Sequence, residues 1–321
     1  MLTELRFVQG SVAKKDFLPA LTHFVIENGT VRGFNGTIAL SSPISCDLHC
    51  KPKAEPLVRA IGNCADTIAL SLTPAGKLRI QSGAFKAHIE CVPLETETPH
   101  ALPEGDTVDI NGEAMVKALT TVQPFIGDDA SRPWSTGVLL RGQSAFATNN
   151  VTLVEYWMGG ATLPYSLNLP RAAVKEIVRI GEAPTSAQLT ERSFTLHYTN
   201  GRWIRTQLLT TEWPDVERIL SGTSEQKSID PRLFDGLDVL RPFTDKLGRV
   251  FFQNGGMFTH EQGDIEGASF LLENFPHEGV YNLEMLRLLQ GAASTIDWTQ
   301  YPKPCLFYGE VLRGALIGMR K

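Results

Sequence analysis

The chain has 321 residues, 42% of them hydrophobic and 20% charged, with a formal net charge of −5. That is enough length for two or three domains with their own cores, and no apolar run approaches the roughly 18 residues of a membrane span. The acidic balance excludes a uniformly basic nucleic-acid-binding surface but leaves room for cations gathered on one face.

In chain order, the opening segment Met1–Phe7 lacks the basic start and apolar core of a secretory signal, so a cytoplasmic protein is expected. A helix follows from the spacing of Leu5, Val8 and Val12. Next comes a strand-turn-strand, Phe24–Gly29 into Thr30–Gly36, with glycine at the turn because it accepts positive φ cheaply. A second helix carries Val58 and Ile61 behind Pro56, and a second hairpin runs through Gly83. Five cysteines (Cys46, Cys50, Cys64, Cys91, Cys305) are odd in number and sparse, which predicts buried thiols, not a disulfide framework. Cys46 and Cys50 form no CxxC pair, and His49 between them is expected on the opposite strand face.

The same order then returns twice. Met115, Leu119 and Val122 mark a helix, Gly137–Gly142 a hairpin arm, Val174 and Ile177 a helix behind Pro170, and Phe194–Gly201 a closing hairpin. In the third copy Asp230 and Pro231 open a helix as N-cap and first helical residue, with Leu233, Leu237 and Leu240 on its face. Val250–Gly255 begins its hairpin, Leu286 and Leu289 mark its second helix, and Cys305–Gly309 closes it. Gly29, Gly142 and Gly255 fall 113 residues apart. Polar or Pro/Gly-containing stretches at 95–105 and 221–226 separate the copies. These repeats exceed the roughly 20 to 50 residues of solenoid units. The expectation is an α+β chain of three similar domains, 1–103, 104–222 and 223–321, each with two helices packed on antiparallel sheets.

The middle copy carries a resemblance. Gly137–Leu140 leading to Phe146-Ala147-Thr148-Asn149-Asn150-Val151-Thr152-Leu153 is similar to the Ala-Thr-Asp-Gly-His-Arg-Leu segment of the bacterial DNA polymerase III β subunit, the sliding clamp. Leu169-Pro170-Arg171 through Arg179 resembles that family's Pro-Arg-led second helix. Glu212-Trp213-Pro214-Asp215-Val216-Glu217-Arg218-Ile219-Leu220 resembles its Phe-Pro-Asp-Tyr-x-Arg-Val-Leu segment, and Leu316–Lys321 its Met-Pro-Met-Arg-Leu tail. The layout matches over the whole chain. The departures at Asn149-Asn150-Val151 and at Lys321 mark a divergent member, a phage-encoded one among the candidates.

The resemblance implies a DNA clamp fold, a head-to-tail homodimeric ring around double-stranded DNA, and a DNA polymerase and clamp loader as partners. It places the helices on the channel. Arg59, Lys175 and Arg287 each follow the first core position of a second helix, and Arg179 lies on the same face as Lys175. Arg6, Lys14, Lys15, Lys117, Arg232 and Arg241 extend the candidate DNA face. By the same resemblance a peptide groove uses Thr148, Asn150, Val151, Leu153, Pro214, Arg218, Ile219, Ile317 and Met319.

No phosphate loop, nucleophile elbow or HExxH helix is present, so neither an enzyme nor a cofactor is expected. The segment His260-Glu261-Gln262-Gly263-Asp264-Ile265-Glu266 is the most metal-like and reads as a solvated loop. The rival class is a repeat-built β-rich structural or binding protein, such as a phage assembly component, that never encircles DNA.

Overall fold

The computed structural model describes every residue except Asp16, Phe17, Asp66, Pro99, His100, Ala161, Thr162, residues 261–265, Glu273, Asn274, Pro276 and Lys321. Among the described residues, seven α-helices are set between antiparallel strands: α1 (Leu2–Gln9), α2 (Ala54–Gly62), α3 (Gly112–Val122), α4 (Arg171–Ile180), α5 (Glu217–Leu220), α6 (Arg232–Leu240) and α7 (Leu283–Arg287). This is the expected α+β class. The short α5 was not anticipated. Among the described residues no helix is long and apolar enough to cross a membrane.

Helix ends follow local chemistry. α1 buries Leu5 and Val8 but stops at Gln9, so Val12 falls in the turn beyond it. The N-cap position of α6 is Pro231, one residue later than expected, and Asp230 Oδ1 still accepts from Arg232 N at 2.9 Å. α4 ends on Gly181, whose φ of 66° lets its N–H reach the Ile177 carbonyl at 3.1 Å. Asn282 caps α7 by accepting from Met285 N at 3.1 Å, and Leu289 lies past the helix end.

The chain forms two compact units, Met1–Val116 with Leu169–Leu209 and Lys117–Asn168 with Thr210–Lys321. The first contains a seven-stranded antiparallel sheet in which Ile38–Pro43 pairs with Trp203–Gln207, Ser41 opposite Trp203. In the second, an eight-stranded sheet joins Thr152–Trp157 to Leu312–Leu316, Val154 opposite Gly314. Strand pairing thus runs across both expected repeat boundaries, and the middle repeat contributes to both units.

The three hairpins sit where expected, with a shift in phase. Glu27 pairs with Thr30 and Gln253 with Gly256, so Asn28-Gly29 and Asn254-Gly255 are two-residue turns with positive φ at both positions. In the middle copy Arg141 pairs with Ser144, which makes Gly142 the first turn residue, and only it has positive φ. The structural counterpart of Gly142 is therefore Asn28 on one side and Asn254 on the other, not Gly29 and Gly255. A turn with glycine first needs positive φ once, so Gln143 is tolerated second.

Candidate functional site

In the second unit, Leu139, Phe146, Leu153, Val216, Leu220, Leu306 and Ala315 form one buried apolar cluster. It brings together the strands Gly137–Arg141, Ser144–Thr148, Thr152–Trp157, Cys305–Tyr308 and Leu312–Leu316 with the segment around α5. Above it opens a groove of about 150 Å³, lined by Thr148, Asn150, Val151, Leu153, Pro214, Ile219 and Ile317 among the anticipated residues. Arg218, exposed on α5, and Met319 are not in its lining.

The rim is built by a side-chain turn. Asn149 Oδ1 accepts from Val151 N at 3.1 Å and Thr152 N at 2.7 Å, while Thr148 Oγ1 donates to the Thr152 carbonyl at 2.8 Å. Asn150 takes φ of 71°, a left-handed conformation that asparagine adopts more readily than other side-chain-bearing residues. The same turn occurs in the first unit, where Asn35 Oδ1 accepts from Thr37 N and Ile38 N and Gly36 has φ of 95°. The substitution of asparagine for the resembled glycine thus keeps the backbone path.

The C-terminal segment docks in two steps. Ile317 N donates to the Val151 carbonyl at 2.9 Å, which places Ile317 on the groove wall. Met319 N donates to the Val280 carbonyl at 2.7 Å, and Tyr301 Oη donates to the Met319 carbonyl at 2.9 Å.

Arg132, Trp134, Thr152, Val216, Pro304 and Ala315 also line the groove and were missed from sequence. Trp134 packs edge-on against Trp213, ring centroids 5.1 Å apart. Trp213 Nε1, Asn150 Oδ1 and Thr152 Oγ1 are buried without a hydrogen-bond partner among the described residues. A mostly apolar trough with a few unpaired polar atoms suits an extended peptide better than a catalytic reaction.

The candidate DNA residues divide by pairing. Arg6, Lys14, Lys15, Lys117 and Lys175 are exposed and make no ion pair among the described residues. Arg59 pairs with Glu55 at 2.7 Å, Arg179 with Glu176, and Arg241 with Glu284 at 2.8 Å. Arg287 pairs with Asp238 at 2.8 Å, and Arg232 donates to the Leu271 carbonyl at 3.3 Å. Within the first unit, Arg6, Lys14 and Arg179 line one cleft of about 470 Å³ together with Lys53, a cation the sequence reading passed over.

All five cysteines are free. Cys46, Cys50 and Cys305 are buried, whereas Cys64 and Cys91 are half-buried, more open than expected. Burial pushes the Cys50 thiol up to about 12 and the Cys305 thiol to about 11, which leaves both as poor nucleophiles. No group of three metal-capable side chains occurs among the described residues. Of the metal-like loop, residues 261–265 lie outside the described residues and His260 is half-buried.

No protein-family model matches the chain, and no curated protein matches its sequence. Solved structures do match its fold. A sliding clamp (DNA polymerase III subunit β) of Bartonella birtlesii, bound to griselimycin, superposes with a TM-score of 0.86 at 18% identity, covering 100% of this chain and 97% of that one. The β subunit of Streptococcus pyogenes DNA polymerase gives 0.83 at 14% identity, and that of Pseudomonas aeruginosa DNA polymerase III gives 0.83 at 16%, both with the same coverage. The chain has the fold of the bacterial β sliding clamps from end to end.

Proposed function

We propose that the chain is a DNA sliding clamp: a non-enzymatic ring that encircles duplex DNA without sequence preference and tethers a polymerase to it. The observation that carries the proposal is the end-to-end fold likeness to clamps, TM-score 0.86 over 100% of the chain. Its three repeats, 1–103, 104–222 and 223–321, act as the similar domains of such a ring, and two chains close it head to tail.

Two sheet edges support that closure. Ala69–Leu72 ends a three-stranded sheet and Ser269–Leu271 a four-stranded one; neither strand carries a charge, and Leu72 and Leu271 are exposed. Uncharged edges are templates for pairing with another chain. Val239, Phe243 and Leu247 add exposed apolar surface in the unit that holds Leu271.

Phosphate contacts fall first to Arg6, Lys14, Lys15, Lys117 and Lys175, which make no ion pair among the described residues. The groove at Thr148–Leu153, Pro214, Ile219 and Ile317 takes a linear peptide of the polymerase or of a clamp loader. Such contacts serve a cytoplasmic replication protein. Light scattering with negative-stain imaging tests the reading. A dimer seen as a closed ring is expected; a stable monomer at micromolar concentration refutes it.

A further inference from the structure

Free cations are unevenly distributed. The cleft of the first unit is lined by Arg6, Lys14, Lys53 and Arg179, and the carboxylate of Glu55 in its lining is already answered by Arg59 at 2.7 Å. Arg6, Lys14 and Lys53 are exposed and without ion pairs among the described residues. Arg179 is held in place. Its Nε donates to both Glu176 oxygens at 2.9 and 3.0 Å, and its Nη2 donates to the Phe7 carbonyl at 3.0 Å, tying α4 to α1. Glu176 is only 7% exposed, so the carboxylate that orients Arg179 sits behind it, away from solvent.

The surface of α6 and α7 is the opposite case. Arg241 pairs with Glu284, Arg287 pairs with both Asp238 and Glu284, and Asp235 lies one turn from Arg232 on α6. Asp238 and Glu284 between them answer both Arg241 and Arg287. A cation already paired releases few counterions on meeting a phosphate, because the existing pair must be given up first. A chain of net charge −5 has no general attraction for DNA, so unpaired cations decide where a duplex rests.

We infer that the duplex is held chiefly by the α1–α4 cleft, with Lys53 as a phosphate-contacting residue, while α6 and α7 present a self-neutralised surface masked by Asp238 and Glu284. This rests on the clamp reading and deepens it. In a two-fold ring the cleft occurs twice, so contact is concentrated at two places and not spread evenly around the bore.

The test is the anisotropy of a labelled duplex oligonucleotide titrated with the full chain over a series of salt concentrations. The triple variant Arg6→Gln, Lys14→Gln, Lys53→Gln should lower the slope of log affinity against log salt by about 2.7, at roughly 0.9 per contact, and weaken binding on the order of a hundredfold at about 0.1 M salt. The variant Asp238→Asn, Glu284→Gln should unmask Arg241 and Arg287 and steepen the slope. An unchanged slope in either variant overturns the inference. If the triple variant fails to fold by circular dichroism, Lys53→Gln alone should lower the slope by about 0.9, and no change overturns the role of Lys53. Wild-type protein with no salt-dependent affinity for duplex sinks the clamp reading itself, an outcome distinct from an intact wild-type slope with unresponsive variants.

Discussion

The proposed peptide groove makes its sharpest prediction at Ile219 and Ile317. Both line the groove, and they are 43% and 42% exposed. Burying a whole isoleucine side chain stabilises by about 1.5–3 kcal/mol, so covering the exposed two-fifths of each under a bound peptide gives roughly 1 kcal/mol apiece. Truncation to alanine forfeits that, about fivefold in affinity for each and roughly thirtyfold for the pair. The fold should hardly notice, since each side chain already meets solvent and partly exposed positions cost about 1 kcal/mol or less. The assay is fluorescence polarisation of a short labelled peptide carrying one leucine and one phenylalanine anchor, beside primer-extension length with polymerase. The pair Ile219→Ala, Ile317→Ala should weaken the peptide and shorten extension while the unfolding midpoint stays close to wild type. Unchanged peptide affinity with unchanged stability would show that these side chains only close a seam, and the partner site would have to lie elsewhere.

Three other outcomes follow from the same structure. Leu153→Ala should act through stability, because Leu153 belongs to the buried cluster beneath the groove; a loss of about 3 kcal/mol in denaturant unfolding is expected, and a loss under 1 would contradict its place there. Asp297 is fully buried, and although burial alone would raise its carboxyl, hydrogen bonds from Thr299 Oγ1 (2.6 Å), Glu225 N (2.8 Å), Thr299 N (3.0 Å) and Gln300 Nε2 (3.2 Å) hold it below the usual range. Its folded value being lowered, the stabilisation is present above the ordinary value near about 4 and lost as pH falls through the folded one, so the stability gap to Asp297→Asn should narrow only in acid; a gap constant down to about pH 2 would refute it. Leu271→Asp puts a charge on the uncharged edge strand and should shift light scattering from the proposed dimer toward monomer at micromolar concentration, and a dimer unaltered by it would remove that edge from the proposed interface.

Much of this was legible because the signals are local. Helix faces such as Leu5 with Val8, and Leu233 with Leu237 and Leu240, depend on spacing alone, and all these residues are buried. The departure at Asn149-Asn150-Val151 was visible in the sequence, but the reason it is tolerated is the positive φ that Asn150 adopts. Other features were invisible because they depend on partners distant in the chain. Trp134 joins the groove through Trp213, and Lys53 joins Arg6 only when α1 and the start of α2 come together. Nor does a list of arginines show which are spent. Arg287 and Lys175 occupy matching positions in the sequence pattern, yet only Arg287 is flanked by Asp238 and Glu284.

Repeats in sequence and compactness in space cut this chain differently, and hydrogen bonding explains why. A copy excised at 104 and 222 would strip Ile38–Pro43 from Trp203–Gln207 and Leu312–Leu316 from Thr152–Trp157. Each cut would leave a row of unpaired backbone donors and acceptors beside a newly bared apolar face. Ile204 and Leu40, paired across the first junction, are both buried, as are Leu153 and Ala315 across the second. The repeat is therefore a unit of sequence pattern that completes its sheets with its neighbours. A junction built from continuous ladders resists hinging more than a flexible linker would, so each compact unit is stiff where one sequence repeat meets the next.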